Sequence, residues 1–260
     1  MQYTRFLVLG DSFSEGMSDE IINGKYRGWA DRVADVLAAQ SPEFKYANFA
    51  IRGKLVKQVF EEQVPLALPL IDGPQTLVSF HAGANDALRP NFDRNIVRTA
   101  YVKAVTQLVQ TGGTILLFTV LEKNGNGGKA SAVWEERMSS FNSIVREVAD
   151  KFGLMVMDAS MDPQSSNPNL LAFDRLHLNT TGHYRVAHAV LERIGAPFDS
   201  GWRDSAIASK KKPWIIRKAL TLLWFLTFAL PWIWRRIRGR SSGDGRSGKY
   251  TSLTSWPAAH

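Results

Sequence analysis

Ser12, Gly53, Asn85, Asp174 and His177 stand in four short motifs along the chain. They are Gly10-Asp11-Ser12-Phe13-Ser14, Asn48-Phe49-Ala50-Ile51-Arg52-Gly53, Gly83-Ala84-Asn85-Asp86 and Asp174-Arg175-Leu176-His177. Ester hydrolysis needs a nucleophile, a base to take its proton, a group to hold that base, and donors for the oxyanion. Ser12 sits in a tight Gly-Asp-Ser turn just after an apolar run, a place that exposes its hydroxyl. A histidine such as His177 suits the base, because imidazoles ordinarily titrate near neutrality. Asp174, three residues earlier, is within reach of the imidazole Nδ1–H and can fix its tautomer. Each residue alone has an ordinary alternative. An Asp-Ser pair often caps a helix or makes a turn, and Asp174 and His177 can cap the helix that begins near Asn179. Gly53 reads alone as a turn glycine and Asn85-Asp86 as a β-turn. A metal site lacks a third nearby ligand, and His183 and His188 read as structural residues of the following helix. Four motifs in this order outweigh the isolated readings.

The elements that must position these residues follow from the apolar periodicity. Short, mostly continuous apolar runs at Phe6–Gly10, Tyr46–Ala50, Leu77–His81, Ile115–Val120 and Leu154–Asp158 read as strands buried on both faces of a parallel sheet. Helical patterns fall at Trp29–Ala39, Val56–Val64, Arg94–Gln110, Ala132–Lys151 and Thr181–Ile194. This alternation predicts a doubly wound α/β fold of three layers, an α/β/α sandwich around a five-stranded, mainly parallel sheet. Ligands in such sheets bind beyond the carboxyl ends of the strands, where Ser12, Gly53 and Asn85 all fall. The glycine-rich 122–129 segment follows the fourth strand and is either a substrate lid or a plain long loop.

On the motifs quoted above, the chain resembles the SGNH hydrolase superfamily, the GDSL esterases and lipases, over roughly its first 195 residues. The resemblance implies a flavodoxin-like fold and an acyl-enzyme on Ser12, with His177 and Asp174 completing the triad. It further implies an oxyanion hole formed by the Ser12 N–H, the Gly53 N–H and the Asn85 side-chain amide. A glycine there admits a close approach that a Cβ would block. Two positions depart from the family pattern: Phe13 replaces the usual Leu or Ile, and Leu178 replaces the usual proline. Neither touches a reacting atom. Arg89 reads either as a cation near the cleft or as an ordinary surface residue. No metal or organic cofactor is implied. The expected function is a serine hydrolase of carboxylic esters or thioesters, with a small-molecule or lipid-derived substrate. An acyl- or acetyl-transferase using the same nucleophile, or a catalytically silent module recruited to membranes, are the alternatives.

The charge is unevenly spread. Residues 1–200 carry 20 Lys/Arg against 22 Asp/Glu, while residues 201–260 carry 12 Lys/Arg against Asp204 and Asp244 alone. Six of the eight tryptophans lie in that tail. An asymmetry of this kind points to an anionic surface as partner. There is no cysteine, which excludes disulfides, thiol nucleophiles and Cys-bearing zinc sites. The first apolar run, Phe6–Leu9, falls short of the about 7–15 residues of a signal sequence, so a cytoplasmic location is expected.

Three units are expected: a catalytic domain at 1–200, a basic and apolar helical segment at 201–240, and a disordered Gly/Ser-rich tail at 241–260. The run Ala219–Trp234 has no charge, and Arg235, Arg236, Arg238 and Arg240 close it. Counted from Trp214 it reaches the about 20 residues a membrane span needs, with basic residues on both sides. A span, a helix lying in an anionic membrane surface through 210–240, and a helix packed on the hydrolase remain open. The uncharged centre argues against nucleic acid as partner. Truncation near residue 205 is expected to leave an active enzyme, since every candidate site residue precedes that point.

Overall fold

β1 (Arg5–Gly10) is an unbroken apolar run because both of its faces are covered. Leu7 and Leu9 enter one buried cluster, Phe6 and Val8 the other, as the two-residue period of a strand requires. The computed structural model describes residues 2–122, 129–204 and 213–256. The centre of the expected lid, 123–128, and the basic run 210–212 lie outside the described residues.

β1 lies inside a six-stranded sheet together with β4 (Lys45–Asn48), β5 (Thr76–His81), β6 (Thr114–Phe118), β7 (Met155–Met157) and β8 (Tyr250–Ser255). The order is β7-β6-β5-β1-β4-β8. The first five pair in parallel. A small hairpin of β2 (Ile21–Ile22) and β3 (Lys25–Tyr26) separates α1 (Ser12–Glu15) from α2 (Gly28–Gln40). α6 (Arg94–Val109) and α7 (Lys129–Phe152) pack on one face of the sheet, while α2 and α8 (Thr180–Arg193) pack on the other. The three-layer expectation holds.

Two helices are less regular than their patterns suggest. The expected Val56–Val64 helix is α3 (Val56–Gln58), a π turn at Val59–Gln63, and α4 (Val64–Ala67). The apolar tail repeats this arrangement as α9 (Trp214–Trp224), a π turn at Phe225–Ala229, and α10 (Leu230–Ile237). A proline follows each π turn by one residue, Pro65 and Pro231. Proline has no N–H to donate, and its ring crowds the carbonyl four residues back, so the preceding turn widens.

The disordered tail expected at 241–260 is instead ordered over its described residues, 241–256. β8 joins the edge of the sheet antiparallel to β4, giving six strands rather than five. Close backbone contact explains Gly243 and Gly248: a Cβ on Gly243 would stand 2.1 Å from the Arg52 carbonyl oxygen, and one on Gly248 2.6 Å from that of Asn48. The tail is tied down further by Lys249, whose Nζ lies 2.7 Å from Asp31 Oδ1 with both side chains buried. Trp256 is buried too; its Nε1 donates to Asp35 at 2.8 Å, and its ring meets the Tyr46 ring edge-on at 4.9 Å. Truncation near residue 205 would remove this strand and the cation that pairs with Asp31.

Candidate active site

Ser12 opens α1 directly beyond the end of β1. Asp11 caps that short helix, its Oδ1 accepting from the Phe13 N–H at 3.1 Å. The same buried carboxylate reaches across to the third motif, where Oδ2 accepts from Asn85 Nδ2 at 3.0 Å. Asn85 lies in α5 (Ala84–Ala87), just past the end of β5. Its amide also donates to the Lys54 carbonyl at 3.2 Å. Asp11 therefore joins two motifs that the sequence shows only as separate words.

The fourth motif is a loop held from both sides. The Ala172 N–H donates to the His177 carbonyl at 2.8 Å. Asn179, which caps α8, donates its amide to the Asn169 carbonyl at 2.7 Å. Within the loop, Asp174 Oδ1 accepts from the Leu176 and His177 N–H groups, each at 2.9 Å. Asp174 Oδ2 lies 2.7 Å from His177 Nδ1, and His177 Nε2 lies 3.0 Å from Ser12 Oγ. Nδ1 thus carries the proton toward Asp174, and Nε2 is left to accept from the Ser12 hydroxyl. Burial alone would raise the Asp174 pKa, but the hydrogen bonds and charge of His177 outweigh it and hold the carboxyl below its ordinary range. Arg175 adopts a left-handed φ of 60° between these residues, a conformation uncommon for a residue with a Cβ.

Gly53 faces the same cavity with a φ of 76°. A Cβ there would stand 2.3 Å from Ser241 Oγ, so the glycine is needed for the tail to lie against it. The neighbouring Arg52 is paired with Glu15, whose Oε2 accepts from the Arg52 N–H at 2.7 Å and from Nε at 3.0 Å. The structure therefore brings Ser12, Gly53, Asn85 and His177 around one cavity of about 170 Å³, with Asp174 behind His177. Arg89 does not line it and borders a separate cavity with Leu55 and Gln58. His183 is structural: Nε2 donates to the Met17 carbonyl at 3.1 Å and Nδ1 accepts from the Trp29 N–H. Burial lowers its pKa to about 4.

The tail forms part of the site, which the four motifs alone do not show. Phe228, Trp232, Arg235, Arg240 and Ser242 complete the cavity wall. Trp224 Nε1 donates to the Asp174 carbonyl at 2.9 Å. Arg175 donates to Thr221 Oγ1 at 3.0 Å, and its guanidinium stacks 4.8 Å from the Trp224 ring centre. The spacing of Trp224, Phe228 and Trp232, one helical turn apart, was the available signal. Along the opposite side Ile215, Leu222, Leu226, Ile233 and Ile237 are exposed. The 22 residues Trp214–Arg235 form a helix long and apolar enough to cross a membrane.

The sequence matches the GDSL-like Lipase/Acylhydrolase family over residues 8–185, and the chain belongs to that family. It is an ester-hydrolysing enzyme. Among solved structures it is similar to an acetyl xylan esterase of Geobacillus stearothermophilus, at 18% identity and a TM-score of 0.62, covering 80% of this chain and 100% of that one. The psychrotrophic esterase EstA from Pseudoalteromonas sp. is 18% identical, with a TM-score of 0.58 over 74% of this chain and 97% of that chain. LAE5, an α/β hydrolase from the metagenome of Lake Arreo, Spain, is 20% identical, with a TM-score of 0.60 over 74% and 95%. At such identities these likenesses establish the fold. No curated protein matches the chain.

Proposed function

We propose that the protein is a serine hydrolase that cleaves carboxylic esters or thioesters through an acyl-enzyme on Ser12. The observation that carries this is the continuous chain from Ser12 Oγ to His177 Nε2 at 3.0 Å and from His177 Nδ1 to Asp174 at 2.7 Å. Ser12 Oγ attacks the carbonyl carbon while His177 takes its proton. The tetrahedral oxyanion collapses, and His177 returns the proton to the departing alcohol or thiol. Water then attacks the acyl-enzyme with His177 again as base, releasing the acid and restoring Ser12. Asp174 stays ionised and stabilises the transient imidazolium. Variants of the Geobacillus esterase described as catalytic mutants replace a serine, an aspartate and a histidine. Its aspartate and histidine lie three residues apart, as Asp174 and His177 do.

Asn85 and Gly53 serve the oxyanion beside the Ser12 N–H. Asp11 holds the Asn85 amide through one N–H at 3.0 Å, and the other, whose bond to the Lys54 carbonyl is the longer at 3.2 Å, is the one shared with the developing charge. Preorganised donors of this kind add rate because they need no reorganisation as the charge appears. Asn85→Ala is expected to lower kcat about 10²–10³-fold on p-nitrophenyl esters with little change in KM. Near-normal kcat in the folded variant would remove Asn85 from the oxyanion hole.

The tail favours a lipid-derived substrate met at an anionic membrane. α9 and α10 have one face on the site and an exposed apolar face opposite. Arg217 and Lys218 lie at one end, Arg235 and Arg238 at the other. A helix lying in the interface keeps its contact with Asp174 and Arg175, whereas a spanning helix would have to leave the site. Flotation with anionic liposomes tests this: binding that weakens with salt fits an interfacial helix. Protein left at the bottom of the gradient makes the tail purely a wall of the site.

A further inference from the structure

Among the described residues, the cavity over Ser12 is lined by Arg52, Arg235 and Arg240 and by no Asp or Glu. Arg52 is already matched by Glu15. Arg235 and Arg240 are not: neither has a carboxylate within ion-pair distance among the described residues. Arg235 Nε donates only to the Pro231 carbonyl, at 3.3 Å.

The backbone sets these two cations together. The Arg240 N–H donates to the Arg235 carbonyl at 2.9 Å, the six-to-one bond that closes a helix over a left-handed residue. Gly239, with a φ of 66°, supplies that residue. The chain therefore turns back at the end of α10, and Arg240 returns to the wall that Arg235 already lines. Two like charges held on one wall repel each other, and an anion between them converts that repulsion into charge-assisted hydrogen bonds.

We infer that Arg235 and Arg240 form an anion subsite within the ester-hydrolysing site, taking a phosphate or carboxylate carried by the substrate close to its scissile ester. The inference rests on the hydrolase reading of Ser12 and names the substrate class of that site. Phe228 and Trp232 supply an apolar wall beside the cations. The cavity measures about 170 Å³. That is room for an ester and a small anionic group.

The test uses two matched pairs of esters. Lysophosphatidate against monoacylglycerol of the same chain places the phosphate on the alcohol side. Mono-4-nitrophenyl succinate against 4-nitrophenyl butyrate places a carboxylate on the acyl side and off the lipid. The wild type should prefer the anionic member of at least one pair in kcat/KM, chiefly through KM. A preference for lysophosphatidate alone identifies a lipid headgroup as the source of the anion, and one for the succinate alone a soluble acid. In Arg235→Gln/Arg240→Gln that preference should fall about 10- to 100-fold, the scale of one or two charged hydrogen bonds. Arg235→Lys/Arg240→Lys should keep most of it. An unchanged preference in the Gln variant, or no anionic preference in the wild type, overturns the subsite. Wild-type inactivity on all four esters would count against the hydrolase reading instead. Calorimetry of inorganic phosphate binding to Ser12→Ala then decides the subsite without turnover. Heat that disappears when both arginines become Gln supports it, and heat that persists, or no heat at all, refutes it.

Discussion

Asp86 sits beside Asn85 with its pKa pushed up to about 6, because burial disfavours its charge more than the Val56 N–H and Arg89 favour it. An acid with a raised folded pKa stabilises the fold at low pH, and that contribution is lost as pH rises through about 6. His183 acts in the opposite sense, since its folded pKa is depressed to about 4. Its contribution is present above the unfolded value of about 6.5 and is lost as pH falls through about 4. The two slopes oppose each other in the same window. Asp86→Asn removes one and exposes the other. The variant should gain on wild type by an amount that grows on the order of 2 kcal/mol between pH 4 and pH 7. Urea unfolding at the two pH values measures this, and a constant difference would mean that Asp86 is not held neutral. The five candidate residues were legible in sequence because each sits in a short local motif. The role of Asp11 was not: a carboxylate that caps α1 and also holds Asn85 joins residues 74 positions apart.

The helices and strands of the sandwich were legible because periodicity is local, and the five parallel strands were found within a residue or two of their ends. β8 was not. Its sequence Tyr-Thr-Ser-Leu-Thr-Ser follows a run of Gly and Ser and has no apolar stretch, because an edge strand needs only one well-covered face. Close packing against the Asn48–Gly53 segment accounts for Gly243 and Gly248, and a left-handed φ of 71° for Gly245. The contact between α9 and the Asp174 loop was equally invisible. Trp224 donates one hydrogen bond to the Asp174 carbonyl and stacks under Arg175, gripping the loop that aims His177. Trp224→Phe keeps the ring and removes the donor. With a hydrogen bond worth about 1 kcal/mol, kcat should fall about fivefold while the thermal unfolding midpoint moves little. Unchanged kcat would show that the loop holds His177 without help from α9.

Across the whole molecule, the tail runs over the site as α9 and α10 and then enters the sheet as β8, so the basic segment and the hydrolase are one structure. The buried Lys249–Asp31 pair is its anchor. Burial raises the Asp31 pKa against the opposing pull of Lys249, and burial lowers that of Lys249. Asp31 also accepts from the Tyr46 hydroxyl at 2.7 Å. Removing one partner of such a pair leaves a buried charge uncompensated, so Lys249→Met should cost about 3–5 kcal/mol in chemical unfolding. Asp31→Asn/Lys249→Met should recover much of that loss. A mild effect of Lys249→Met alone would mean that the tail is only lightly attached, and the chain ending at residue 204 would then be expected to fold and turn over ester normally.

Covalent capture of the nucleophile tests the central claim most directly. Native protein is incubated with a fluorophosphonate, and the adduct is read by intact mass and mapped by peptide sequencing. If Ser12 is activated by His177 and Asp174, one adduct forms, it maps to Ser12, and it is absent from Ser12→Ala and strongly slowed in His177→Ala. No adduct on native protein, or equal labelling after Ser12→Ala, would contradict a serine hydrolase built on this residue.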